Sequence, residues 1–135
     1  MAEEILKMSV LKDSLGVCRL ESGTSIPDWC VKCDFTSITR TRDELSVVCS
    51  QNAIPEGIPC ERDWRAMKVD GPLDFSLVGI LSSISTILAQ RRISVFAIST
   101  YDTDYILVKE KDLNNAIDAL SSEGYDILSA EGVRS

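Results

Sequence analysis

From Trp64 onward the chain alternates between the two hydrophobic periods of regular structure, and the order of that alternation limits the fold more than any other feature. Trp64 to Val69 (Trp-Arg-Ala-Met-Lys-Val) reads as a strand, stopped by Asp70-Gly71-Pro72. From Phe75 the apolar positions Leu77, Val78, Ile80, Leu81, Ile84, Ile87 and Leu88 recur at steps of three and four, while Ser82, Ser83, Ser85 and Gln90 fall off that stripe. This is the pattern of an amphipathic helix, with Asp74 as its candidate N-cap. Ile93 to Ser99 is rich in β-branched and aromatic residues and reads as a strand. The polar turn Tyr101-Asp102-Thr103 leads into a second apolar run, Tyr105-Ile106-Leu107-Val108, which makes an antiparallel hairpin. A second helix follows, with Asp112 as its cap, Leu113, Ala116, Ile117 and Leu120 on one face, and Gly124 where a C-cap belongs. Tyr125 to Leu128 is a last short strand. Strand, helix, strand, strand, helix, strand is the ferredoxin-like βαββαβ order, an α+β fold with a four-stranded antiparallel sheet and two helices on one face. The other face is expected to be solvated or covered by a partner.

The first half is less regular. Leu15 to Leu20 reads as a strand, and Ile26-Pro27-Asp28-Trp29 as one helical turn with Pro27 at its first position. Phe35 to Thr39 and Leu45 to Cys49 form a second hairpin around Arg40-Thr41-Arg42-Asp43-Glu44, and Pro55, Gly57 and Pro59 forbid a long helix between Asn52 and Cys60. A hairpin thus recurs at an offset of about 60 residues, which points to an internal duplication. The expected organisation is two ferredoxin-like modules side by side, a reduced one over 1–62 and a complete one over 63–135, with the seam near Glu61 to Asp63.

At 135 residues the chain is long enough to bury a core without a metal or disulfide staple. Its formal net charge of −7 repels phosphate backbones and anionic lipid surfaces, so neither nucleic acid nor membrane is an expected partner. Histidine is absent, which removes every Ser-His and Cys-His device and the commonest general base. Met1 to Lys12 carries Glu3, Glu4, Lys7 and Lys12 and no apolar stretch of secretory-signal length. Phe75 to Leu88, the longest apolar region, is interrupted by serines and Thr86 and cannot span a bilayer. Five cysteines without an export signal suit free thiols in a reducing cytoplasm.

Three constellations have the residue types for chemistry. Cys30-Val31-Lys32-Cys33 has thiol-redox and zinc spacing. A redox site would need a strand feeding straight into a long helix, whereas Asp34-Phe35-Thr36 reads as strand entry. A zinc site would need two more ligands, and Cys49 and Cys60, eleven residues apart, lack paired spacing. The cysteines are therefore read as small buried hydrophobes. Asp102 and Asp104 bracket the hairpin turn, where aspartate commonly bonds its own backbone, and no nucleophile or base stands with them. The pairs Arg40/Arg42 and Arg91/Arg92 read as solvated surface, and Trp29 and Trp64 as packing residues. No phosphate-binding glycine loop, dinucleotide fingerprint or metalloprotease helix motif occurs. The residues give no catalytic set, no metal site and no cofactor.

The strings Gly71-Pro72-Leu73-Asp74-Phe75-Ser76-Leu77-Val78-Gly79-Ile80 and Ile98-Ser99-Thr100-Tyr101-Asp102-Thr103-Asp104-Tyr105-Ile106-Leu107-Val108 resemble an ACT domain, from about Trp64 to Gly124. More narrowly, the chain resembles small tandem ACT-domain proteins, in the branch that includes an animal arginine sensor and the ACT regions of aspartate kinases. Ile26-Pro27-Asp28-Trp29 and Phe35-Thr36-Ser37-Ile38-Thr39 resemble the N-terminal partner module of those proteins. The resemblance implies a non-catalytic regulatory protein that binds a small amino acid at an interface between ACT modules, as a homodimer, with an amino-acid biosynthetic enzyme as a further candidate partner. It implies that the ligand is held by the loop carrying Gly71, Asp74, Phe75, Ser76 and Leu77 and by the turn carrying Thr100, Tyr101, Thr103 and Asp104. In the arginine sensor an aspartate at the position of Asp104 meets the guanidinium. That sensor has a glycine where this chain has Asp74 and a glutamate where it has Leu77, so the resemblance implies an amino acid without implying arginine.

The physics of the residues agrees. A helix opened at Phe75 would offer the amides of Ser76 and Leu77 to a carboxylate, and Gly71 would permit close backbone approach. Asp104 would answer an ammonium or a cationic side chain. The alternatives are a docking module with no ligand, in which Asp74 caps the helix and fills the pocket, and a thiol-redox protein built on Cys30 and Cys33.

Overall fold

The structure is a computed structural model that describes residues 6–70 and 79–130. Along the chain run strands β1 (Lys7–Val10) and β2 (Leu15–Leu20), helix α1 (Asp28–Val31), strands β3 (Thr36–Arg40), β4 (Leu45–Ser50) and β5 (Cys60–Val69), helix α2 (Ile80–Gln90), strands β6 (Phe96–Ser99) and β7 (Asp104–Lys109), helix α3 (Leu113–Ser122) and strand β8 (Asp126–Leu128). The fold is mixed α+β, and it divides into two compact units, Asp13–Trp64 and the residues on either side of that segment. Strand β5 runs through the division.

In the unit that contains both long helices, β6 pairs with β7, β7 with β5, β5 with β1, and β1 with β8. The βαββαβ order expected from Trp64 onward is present, but the sheet is not four-stranded and not wholly antiparallel. β1 inserts between β5 and β8, antiparallel to the first (Met8 opposite Val69) and parallel to the second (Met8 opposite Ile127). Alternate residues of these strands, Met8, Val10, Met67, Val69, Ile106, Val108 and Ile127, face Ile84 and Leu88 of α2 and Ala116, Ala119 and Leu120 of α3 in one core. That is the period-two strand face meeting two helical stripes, as the sequence predicts. Ala66 and Leu107 alternate onto the opposite face and are 0% exposed.

Helix boundaries follow local chemistry. α2 begins at Ile80 and not at Phe75, because Gly79 precedes it in the left-handed conformation (φ +80°), which interrupts any continuous helix from the expected cap Asp74. Asp112 stands at the N-cap of α3 as expected but makes no side-chain capping bond. Gly124 (φ +96°) ends α3 in a Schellman arrangement, with the Tyr125 amide on the Leu120 carbonyl and the Gly124 amide on that of Ser121. α2 ends the same way, with the Ile93 amide on Leu88 and the Arg92 amide on Ala89. There the left-handed residue is Arg92 (φ +60°), and Ile93, expected in a strand, instead closes the helix.

In the other unit, β3 pairs with β4, β4 with β2, and β2 with the first half of β5. The short helix α1 starts at Asp28, so Pro27 occupies the N-cap and not the first helical position. Cys18, Cys30, Leu45, Val47, Cys49 and Ile54 form the buried core, with Trp29, Cys33 and Cys60 packed against it. Among the described residues no helix is long and apolar enough to cross a membrane.

Candidate functional site

The hairpin between β6 and β7 is the part of the expected site within the described residues. Gly71, Asp74, Phe75, Ser76 and Leu77 lie outside them. Ser99 stands opposite Asp104 in the ladder, and the chain reverses through the four residues between. The turn is closed by threonines and not by aspartates. The Thr100 amide donates to the Thr103 carbonyl at 2.8 Å, the Thr100 hydroxyl donates to the same carbonyl at 3.1 Å, and the Thr103 amide donates back to the Thr100 hydroxyl at 3.3 Å.

Thr103 is 4% exposed, a buried polar residue in an otherwise apolar interior. Its hydroxyl donates to the backbone carbonyl of Val69, at the end of β5. A buried hydroxyl without such a partner would be costly, so this bond fixes both the Thr103 rotamer and the position of the turn. Val69 is two residues before Gly71. The turn is therefore pinned where the chain enters the segment that carries the other expected ligand residues. The same strand end is held from its far side. The Asp70 amide donates to the Lys7 carbonyl at 2.8 Å, and the Ser9 hydroxyl donates to the Asp70 carboxylate at 2.8 Å.

The remaining turn residues differ in availability. Asp104 is half-buried, and its carboxylate accepts from the Ser99 hydroxyl at 2.5 Å, a charge-assisted bond that orients it. A carboxylate has further acceptor positions beyond the one that Ser99 uses. Thr100 and Asp102 are exposed, and the Tyr101 side chain is 81% exposed. At the amino end of α2 the first intrahelical bond runs from the Ser83 amide to the Gly79 carbonyl, and no side-chain cap bond forms there. The helix-end amides of α2 are thus those of Ile80, Leu81 and Ser82, and the amides of Ser76 and Leu77 lie outside the described residues.

The Cys30/Cys33 pair is turned toward its own backbone. The Cys30 thiol donates to the Pro27 carbonyl at 3.1 Å and the Cys33 thiol to the Trp29 carbonyl at 3.8 Å. All five cysteines are free, and no cluster of the described residues has the geometry to hold a metal ion. Burial, foremost, pushes the Cys18 and Cys49 thiols from 9.0 up to about 12 and raises that of Cys30 as well, so these interior thiols stay protonated at neutral pH. Of the basic pairs, Arg40 is not simply solvated, since it donates to the Ser22 and Thr24 carbonyls. Arg91 joins α2 to α3 through Asn115 and Asp118.

Residues 60–122 match the model of the ACT domain, and residues 13–57 match a second model, described as an N-terminal domain. The cytosolic arginine sensor for mTORC1 subunit 1 of Bos taurus is 31% identical over 107 residues, which is 71% of this chain and 32% of that protein. The chain therefore spans about a third of the length of that relative. The crystal structure of protein Atu0741 from Agobacterium tumefaciens is 36% identical, covers 94% of this chain and 95% of its own, and superimposes with a TM-score of 0.88. The aspartate kinase of Clostridium acetobutylicum shares the fold at 13% identity, with a TM-score of 0.63 over 90% of this chain and 36% of its own.

Proposed function

We propose that this chain, which belongs to the ACT-domain family, is a non-catalytic regulatory protein that binds a small amino acid at an interface between ACT modules. The observation that carries the reading is the anchoring of the Thr100–Thr103 turn on the end of β5 by the Thr103 hydroxyl, with the oriented Asp104 carboxylate beside it. A ligand ammonium or cationic side chain would pair with Asp104, and its carboxylate would take backbone amides of the 71–77 segment or of the first turn of α2. Thr103 positions the turn and does not touch the ligand, while Thr100 and Tyr101 contribute its exposed rim. The reading is supported by the match of residues 60–122 to the ACT domain and by the likeness to a protein named as an arginine sensor. The segment 13–64 would then be a reduced ACT-like module that retains its hairpin and one short helix. The protein would work as a cytosolic homodimer, and ligand binding would shift its assembly or its affinity for a partner such as an amino-acid biosynthetic enzyme by linkage.

Calorimetric titration of the twenty amino acids tests this. One or a few should give heat, and Asp104→Ala should abolish it for a ligand with a cationic group while leaving the far-UV spectrum unchanged. No heat from any of them would remove the sensing role and leave the docking module that uses its sheet only for association.

A further inference from the structure

Outside that site, the fold brings together two cysteines that lie far apart in sequence. Cys18 on β2 stands opposite Cys60 on β5 in an antiparallel ladder. The next residue along, Arg19, donates its amide to the Pro59 carbonyl at 3.0 Å. Hydrogen-bonded and non-hydrogen-bonded pairs alternate along such a ladder, so Cys18 and Cys60 occupy a non-hydrogen-bonded position, where the two backbones come to about 4.5 Å and the side chains are closest. That separation lies within the range of about 4.4–6.8 Å that a disulfide requires. The two Sγ atoms are 3.7 Å apart, so rotation about side-chain bonds suffices to join them, without backbone movement. A hollow of about 330 Å³, lined also by Val17, Arg19, Glu44 and Pro59, opens onto the pair. Cys18 is 2% exposed, and Cys60 is the more accessible of the two. Cys60 also donates to the Glu61 carbonyl at 3.6 Å, and Cys30 and Cys33, with the familiar redox spacing, donate to the Pro27 and Trp29 carbonyls.

We propose that Cys18 and Cys60 form a dithiol site that hydrogen peroxide oxidises to an intramolecular disulfide. The sulfur of Cys60 attacks one oxygen of the peroxide that has entered the hollow. The O–O bond breaks, the departing oxygen takes up the thiol proton of Cys60 and leaves as water, and Cys60 becomes a sulfenic acid. The Cys18 sulfur then displaces the hydroxyl from the Cys60 sulfur, and its thiol proton goes to that leaving group as water. Two thiols and one peroxide give one disulfide and two waters, and the peroxide is the two-electron oxidant. Cys60, the more accessible of the two, meets the peroxide first, and Cys18, buried against it, resolves the sulfenic acid. The bond ties β2 to β5 and closes the chain between them.

The test treats the purified full chain with hydrogen peroxide and alkylates it under denaturing conditions. The expected result is a mass lower by about 2 Da for the two lost thiol hydrogens, alkylation of three thiols instead of five, and a Cys18–Cys60 cross-linked peptide in the wild-type digest. Dithiothreitol should restore all five. Cys18→Ser and Cys60→Ser should each lose the cross-link and Cys33→Ser should keep it, with circular dichroism to establish that each variant is folded. Alkylation of all five thiols after treatment, a bond between other cysteines or between two chains, or Cys60 recovered as sulfinic acid without a bond would each overturn the proposal. The wild-type peptide map decides the matter even if a variant fails to fold.

Discussion

Thr103 is the residue on which the candidate site turns. It stands in a polar turn string, and from the string alone nothing separates it from Thr100 or Tyr101 as a ligand contact. Burial separates them, since only Thr103 is enclosed and its hydroxyl is committed to the Val69 carbonyl. Thr103→Val keeps the shape and removes that donor, so it should destabilise the protein by about 1–3 kcal/mol. Urea unfolding would read this, and amino-acid affinity should fall with it because the turn loses its anchor. A variant as stable as the parent would mean that the hydroxyl is not the anchor. Asp104 was legible by its charge, whereas the Ser99 hydroxyl that orients it was not, because the pairing of Ser99 with Asp104 follows from the hairpin register. The cysteines make the same point in reverse. The spacing of Cys30 and Cys33 drew attention, yet the sulfurs that meet belong to Cys18 and Cys60, and no sequence spacing signals a cross-ladder pair.

At the scale of elements, the periods of the second half identify its helices and strands, and the differences lie at their ends. Two helices end in the same Schellman geometry, one on Gly124 and one on Arg92. A side chain in the left-handed region costs about 1–2 kcal/mol relative to glycine. Arg92→Gly should therefore stabilise the protein and Gly124→Ala destabilise it, each by about 1 kcal/mol. No atom lies within 4 Å of where a Cβ on Gly124 would sit, so its effect would be purely one of backbone conformation. Equal signs for the two substitutions in thermal unfolding would refute that account. The α2 start at Ile80 was open to sequence reasoning only through Gly79 itself, because the apolar stripe runs on through that glycine and does not reveal the break. β1 was not open to it. Its four residues, Lys-Met-Ser-Val, carry too little pattern to be read as a strand, and they become one only by pairing with Val69 on one side and Ile127 on the other.

At the scale of the whole molecule, the raised thiols bear on stability in alkali. Cys18 and Cys49 would ionise near 9.0 in the unfolded chain but near 12 in the folded one, chiefly through burial. Between those values the unfolded state binds fewer protons, so their contribution is intact below pH 9 and is lost as the pH climbs toward 12. The urea midpoint should fall across that window, and Cys49→Ala should flatten the fall. A midpoint that does not change there would contradict the burial of these thiols. The acidic balance, the absence of histidine and the βαββαβ order were determined by the sequence alone, because composition and local hydrophobic period need no partner elsewhere in the chain. Which strand lies between β5 and β8, which turn residue is buried and which two cysteines touch were decided by the tertiary structure. Each of these depends on ladder register and packing between residues distant in sequence, and such contacts exist only once the chain has closed on itself.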